Sequence, residues 1–295
     1  MAKLKIKSGF SLGRIDLVAK GLSSGQFLGN YKSVFKGTGL EFDSFRKYNP
    51  GNDDASQIDW KASKRINQLL VREFIEERNI DVTFLIDCST QMLTGSTDKL
   101  KAEYMAEFVA SLSRNILDAG DPVGFILFSN EIIKEIRPDR GSPQFFKITK
   151  NLIETSNYKG YSDIDMILDY AFKSVKTDSL LILVSDFVYG FGSEKLLKQV
   201  SKKFDLIMVM IRDPRDMTIP EGGGEVVLED PYSGNTLLIT PDRIRKEYKK
   251  DNLAEITRME NTLEKYGGEF LFLQTDKPFV REVIKFFKRR EAKWR

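Results

Sequence analysis

The chain has no histidine, and only one cysteine, Cys88, in 295 residues. Without histidine, no Ser-His-Asp triad, Cys-His pair or imidazole-ligated metal can form within it. General acid–base chemistry is left to carboxylates, lysines and tyrosines. A single cysteine excludes an internal disulfide and a thiolate metal cluster, and it fits a reducing compartment. No apolar run approaches the length of a membrane span. The first residues, M-A-K-L-K-I-K-S-G-F-S-L, alternate lysine with single apolar residues instead of building a signal-peptide core. These absences predict a soluble, cytoplasmic protein. Neither sign of charge is in surplus: 46 Lys and Arg face 43 Asp and Glu, so net charge gives no reason to expect nucleic acid or membrane. There is also no P-loop and no dinucleotide fingerprint. Gly222-Gly223-Gly224 is not followed by a helix start with a lysine, and it reads as a loop.

What is present is an ordinary globular balance, 41% hydrophobic and 30% charged, enough for two modest domains or one large one with an elaboration. The chain is organised around residues 81–92, D-V-T-F-L-I-D-C-S-T-Q-M. Val82, Thr83, Phe84, Leu85 and Ile86 form an unbroken β-branched and aromatic run, the pattern of a strand buried on both faces of a parallel sheet. The run stops at Asp87, with Ser89 and Thr90 just behind it. A carboxylate at the carboxyl end of a central strand points into the crevice where open α/β sheets bind ligands. Asp87 and Ser89 can aim oxygens at one point, as a hard divalent cation requires. The same residue types also suit a helix N-cap.

Downstream, strands and helices alternate. Apolar residues at Leu100, Tyr104, Phe108, Leu112 and Ile116 predict an amphipathic helix over 98–117, ended by Asp118-Ala119-Gly120-Asp121-Pro122. Strands are predicted at 123–128, 179–184 and 205–211, with another at 131–136 running antiparallel at the sheet edge. Helices are predicted at 142–153, with Phe146 and Leu152 inward, at 193–203, and from Gly160-Tyr161-Ser162-Asp163 to about 175. Residues 212–224 read as a long connection, and 225–228 with 236–239 as a hairpin. Thr240-Pro241 opens a long helix to about 266. A strand at 269–273 follows, then a helix at 277–290 with Phe279, Val283, Ile284 and Phe287 on one face. Strands alternating with helices imply an α/β fold with a doubly wound, mostly parallel, Rossmann-type sheet over residues 80–295.

Residues 1–79 read as an amino-terminal β-rich elaboration. Its first thirty residues are broken by glycines, and Lys3, Lys5, Lys7 and Arg14 read as a solvated terminus. Residues 35–76 interleave charge with Phe42, Phe45, Tyr48, Trp60 and Phe74, which predicts that several charges approach buried ground. Arg46, Arg72, Asp54 and Asp59 are the candidates for paired charges there. Asn49-Pro50-Gly51-Asn52 is a turn, Asp59 caps a short helix through Arg65, and 69–75 is a strand. The block reads either as a lid on the main domain or as a binding site.

Three motifs in this block stand in order: G-x-G-x-E-F-x-x-x-R-x-Y-x-P-G, then I-D-W-x-x-S-x-R, then V-R-x-F. They comprise Gly37, Gly39, Glu41, Phe42, Arg46, Tyr48, Pro50, Gly51, Ile58, Asp59, Trp60, Ser63, Arg65, Val71, Arg72 and Phe74. This run resembles the signature of the domain-of-unknown-function 58 family, bacterial proteins in which it precedes a von Willebrand factor A-like domain. After P-G, the family's second Asp is either shifted or replaced: this chain has Asn52, then Asp53 and Asp54.

The resemblance implies a metal-ion-dependent adhesion site (MIDAS). In such sites an Asp-x-Ser-x-Ser loop, a Thr from a second loop and an Asp from a third hold one Mg²⁺, whose open position takes a partner's carboxylate. Carried onto this sequence, Asp87 and Ser89 match the first two ligands and Asp186 the third loop. Ser162 stands where the Thr would be, and Gln91 occupies the second Ser position. A glutamine carbonyl can accept a metal or bond a ligating water, but its length weakens the expected Mg²⁺ affinity. The resemblance further implies a non-catalytic adaptor that partners a MoxR-type AAA+ ATPase. Two other readings stay open. A haloacid dehalogenase-like phosphohydrolase would use Asp87 as nucleophile, although Ser89 stands where its acid/base Asp belongs. A nucleic-acid-binding role would use Lys285, Lys288, Arg289 and Arg290, which also read as a solvated helix end.

Overall fold

The computed structural model describes residues 40–51, 53–76, 80–219, 221, 224–230 and 233–294. The basic amino-terminal stretch, Gly37, Gly39, Asn52 and Gly222-Gly223 of the sequence readings lie outside these residues, as do the side chains of Phe42, Arg72 and Phe74. The elaboration is an antiparallel pair, β1 (Leu40–Lys47) with β2 (Leu70–Glu76), and helix α1 (Trp60–Ile66) lies between them in the chain. Asp59 caps α1 by accepting from the Lys61 and Ala62 amides at 2.9 Å each. Asp54 likewise accepts from the Ser56 amide. Arg46 grips Asp53 through two bonds of 2.6 Å. Ile58, Ser63, Leu70 and Val71 are buried, but Trp60 is 67% exposed and Phe45 is also exposed. A charge does approach buried ground here, since the Asp53 side chain is almost fully covered, while these two interleaved aromatics stay in solvent. A two-stranded unit with one short helix has little interior to offer them.

The rest of the chain lays down β3 (Val82–Asp87), α2 (Lys101–Asp118), β4 (Val123–Phe128), β5 (Ile132–Asp139), α3 (Gly141–Leu152) and α4 (Ile164–Ser174). It continues with β6 (Leu180–Ser185), α5 (Glu194–Lys203), β7 (Asp205–Arg212), α6 (Pro214–Met217), β8 (Val226–Glu229) and β9 (Thr236–Ile239). It ends with α7 (Pro241–Tyr266), β10 (Glu269–Gln274) and α8 (Val280–Trp294). The β8–β9 hairpin is a separate pair, whose Val227, Leu237 and Leu238 are exposed.

One six-stranded sheet, ordered β10-β7-β6-β3-β4-β5, carries the architecture. Every neighbouring pair is parallel except β4–β5, the antiparallel edge expected from the sequence. β3, β4 and β6 are buried at every position, as their continuous apolar runs require. Side chains alternate between two cores. Val82, Phe84 and Ile86 pack with α2, α3 and α8, while Leu85 packs with α4, α5 and α7. The result is three layers, helices on both faces of the sheet. The chain starts at the centre, winds out through β4 and β5, then returns to β6, β7 and β10. The order therefore reverses between β3 and β6, and the crevice outside the carboxyl ends of those two strands is where doubly wound sheets take ligands.

Two local expectations need correction. In α3 the inward aromatic is Phe145, while Phe146 is 59% exposed. Phe145, Ile148 and Leu152 form the three-and-four spacing that faces the core, and a shift of one residue rotates a side chain by about 100° away from it. The connection after β7 also contains a helix, the single turn α6, where only a loop was expected.

Candidate functional site

Asp87 ends β3 and is fully buried. One carboxylate oxygen accepts from the Ser89 amide at 2.8 Å, and the other from the Ser185 hydroxyl at 2.5 Å. Ser185 ends β6, and its oxygen accepts in turn from the Phe187 amide at 3.0 Å. The two strand ends are thus bonded directly across the switch point. Asp87 caps a turn of its own loop, so the helix-cap alternative is met only in this local sense. The next residue of the β6 loop, Asp186, is also fully buried and accepts from the Val188 amide at 3.1 Å. Phe187 between them adopts left-handed backbone (φ 52°), a strained conformation for a bulky residue and one that concentrates at functional sites.

The Ser162 loop is stitched to the same place by backbone bonds. The Lys159 amide donates to Cys88 O, the Thr90 amide to Gly160 O, and the Asp163 amide to Ser129 O. Gly160 has φ +72°, and a Cβ there would lie 2.1 Å from Asn130 Oδ1, so the close approach depends on glycine. Asp163 caps α4 by accepting from the Met166 amide at 2.9 Å. Ser162 then sits buried beside Asp87, near enough for its side chain to pull the Asp87 pKa down.

Asp87, Ser89, Ser162 and Asp186 are therefore brought into one neighbourhood. Gln91 is buried in the single turn Thr90–Leu93, and no hydrogen bond among the described residues ties its side chain to either aspartate. Ser89 Oγ, Gln91 Oε1 and Ser162 Oγ are buried without a hydrogen-bond partner. Buried polar atoms are nearly always satisfied, so three such oxygens on two adjoining loops call for a partner such as water or an ion. Burial, and then the charge of Asp186, push the Asp87 carboxyl up to about 6, against bonds from Ser185 and Ser89 that lower it. Cys88 is buried and its thiol is pushed up by burial, so it supplies no thiolate.

The sequence reading missed the cation at this site. Lys101, in the first turn of α2, is only 2% exposed. Its ammonium lies 2.6 Å from Asp186 Oδ2 and 3.2 Å from Asp216 Oδ2. Burial alone would lower its pKa, but the charges of Asp186 and then Asp216 outweigh that and raise it. Asp216 belongs to α6, which is capped by Asp213: that carboxylate accepts from the Arg215 amide at 2.9 Å. It also takes the Ser96 amide at 2.7 Å, the Ser96 hydroxyl at 2.5 Å and the Thr275 hydroxyl at 3.2 Å. The sequence held a signal for α6 in Asp213-Pro214-Arg215-Asp216, an N-cap with proline at the first helical position and an acid three residues on. For Lys101 the signal was weaker, a lysine opening a helix that is buried at nearly every position further along.

At the mouth of the crevice Tyr161 and Tyr189 meet edge to face, centroids 6.1 Å apart, and both are exposed along with Val188. At the other candidate surface the structure removes Arg290 from the basic set. It is buried and paired with Asp205 and Glu269, while Lys285 pairs with Glu282 at 2.9 Å.

Strand order, a single antiparallel edge and polar loops at the switch point define a doubly wound α/β domain. The chain belongs to the family described as "Protein of unknown function DUF58", whose model matches residues 44–258. It is 22% identical over 282 residues to "Uncharacterized protein Rv1480" of Mycobacterium tuberculosis, covering 94% of this chain and 87% of that one. It is 25% identical over 129 residues to "Uncharacterized protein MAV169" of Mycobacterium avium, covering 43% of this chain and 76% of that one. Among solved structures it is similar to the conserved hypothetical protein BatB of Bacteroides thetaiotaomicron, with TM-score 0.47 and 17% identity over 72% of this chain and 99% of that one. It is also similar to the VWA domain of SpRpn10, with TM-score 0.39 and 10% identity over 70% of this chain and 94% of that one.

Proposed function

We propose that this chain is a non-catalytic docking protein whose crevice at the carboxyl edge of the sheet engages a protein partner through a divalent cation. The observation that carries the reading is the set of three buried, unbonded oxygens beside two buried carboxylates. This donor set is all oxygen, the chemistry of a hard cation. Asp87, Ser89, Ser162 and Asp186 would hold Mg²⁺, with Gln91 contributing its carbonyl directly or through a water. The bound cation would supply an open position for a partner's carboxylate. The chain's own residues do the rest. Ser185 and the Ser89 amide fix the Asp87 carboxylate, and the Val188 amide fixes Asp186. Tyr161, Tyr189 and Val188 offer an apolar rim against which a partner side chain can bury area, as aromatic anchors do at interface centres. Full burial of Asp87 and serine at position 89 argue against nucleophilic phosphate chemistry.

A MoxR-type AAA+ ATPase is the partner the family resemblance suggests, with the interaction in the cytoplasm. No helix among the described residues is long and apolar enough to cross a membrane. The test is capture of a purified MoxR-type ATPase from the same organism, with Mg²⁺ or with EDTA, by the native chain and by Asp186→Ala. Mg²⁺-dependent capture that Asp186→Ala loses is the expected result. Equal capture in EDTA, or Mg²⁺-dependent turnover of a generic phosphate ester that Asp87→Asn abolishes, would overturn the reading.

A further inference from the structure

Two buried carboxylates at one crevice need a counter-charge, and the fold already contains one. Lys101 Nζ sits 2.6 Å from Asp186 Oδ2, on one of the oxygens a divalent cation would use. Two positive charges cannot share that oxygen in a site with little water to screen them. A cation entering there must therefore displace the ammonium.

The geometry also provides somewhere for the ammonium to go. Asp216 Oδ2 is 3.2 Å from the same Nζ, and its side chain is more exposed than that of Asp186. Asp216 does not depend on Lys101 for its place. It accepts from the Asp213 amide at 2.9 Å within a reciprocal capping box, and Asp213 is itself anchored by Ser96 and Thr275. We propose that Lys101 is a tethered competitor for the cation site: its ammonium holds Asp186 until a divalent ion enters, and Asp216 then receives it. This rests on the divalent-cation reading above and adds the regulation of that site. Cation affinity is set by a lysine that must be displaced, so partner docking responds to the supply of free divalent ion.

The experiment is calorimetric titration of the full chain with MnCl₂ alone, for the native protein, Lys101→Met, Asp216→Asn and the double variant, with circular dichroism as a check on folding. Lys101→Met should bind Mn²⁺ at least tenfold more tightly than the native chain. Asp216→Asn should bind it several-fold more weakly, because the displaced ammonium has lost its acceptor. The double variant should match Lys101→Met, since Asp216 acts only through the lysine. Equal affinities in all four proteins overturn the competition and leave the cation reading standing. Loss of binding in a folded Lys101→Met also overturns it, because the lysine would then be positioning Asp186. No Mn²⁺ bound by either the native chain or Lys101→Met overturns both. If Lys101→Met does not fold, Asp216→Asn decides alone: weaker binding supports the proposal and unchanged binding overturns it.

Discussion

Burial, and then the charge of Asp186, raise the Asp87 carboxyl above its ordinary range. Its folded-state pKa of about 6 lies above the unfolded 3.8, so the folded chain holds the proton more tightly between those values. In EDTA this group's contribution to stability is therefore greatest at the acid end and falls as pH rises from about 3.8 through about 6. Asp87→Asn should erase that step and raise stability at pH 7.5 by about 1–3 kcal/mol. Thermal melts of both proteins in EDTA at pH 4.5 and 7.5 check this; parallel curves at the two pH values would contradict it. Asp87, Ser89, Ser162 and Asp186 were legible in the sequence because small polar residues directly after buried apolar strands, or opening a helix, stand out. Lys101 and Ser185 were not. Their partners lie 85 and 98 residues away, and only the strand order brings them together.

Between residue and molecule, two short pieces of backbone carry the site. α6 spans four residues, too few to generate a periodicity, and its Asp-Pro start was read as loop. Asp213→Ala should cost about 1–2 kcal/mol, the usual loss of an N-cap, increased by the loss of Ser96 and Thr275 as partners. Urea unfolding measures this, and a change below a few tenths of a kcal/mol would show that α6 is not pinned as described. The second piece is the turn at Gly160. Gly160→Ala should destabilise the chain by about 1–2 kcal/mol through left-handed strain and collision with Asn130. Adding Asn130→Ala should recover the collision component and leave the strain, which the same unfolding series resolves. Longer elements were legible because their patterns persist: every strand of the main sheet was expected, and helix ends shifted by a few residues at most. The exchange of Phe145 for Phe146 in α3 shows the limit. With two adjacent phenylalanines, composition cannot say which one the core receives.

For the whole molecule, the doubly wound topology decides which surfaces can act. The carboxyl edge gathers two strand ends and a stitched loop, whereas the basic carboxyl terminus is partly consumed by internal pairs. With Arg290 buried against Asp205 and Glu269, a titration of this chain with duplex DNA should show only weak binding. Tight binding with a steep salt slope would return that surface to consideration. Among the described residues of the amino-terminal signature, Asp59 caps α1, Arg46 pairs with Asp53, and Pro50-Gly51 form a turn. The most direct test of the central claim is anomalous diffraction from crystals of the native chain soaked in Mn²⁺. The account predicts one Mn²⁺ peak among the oxygens of Asp87, Ser89, Ser162 and Asp186, with Lys101 turned onto Asp216. Mn²⁺ absent from that crevice, or bound there with Lys101 still on Asp186, would contradict it.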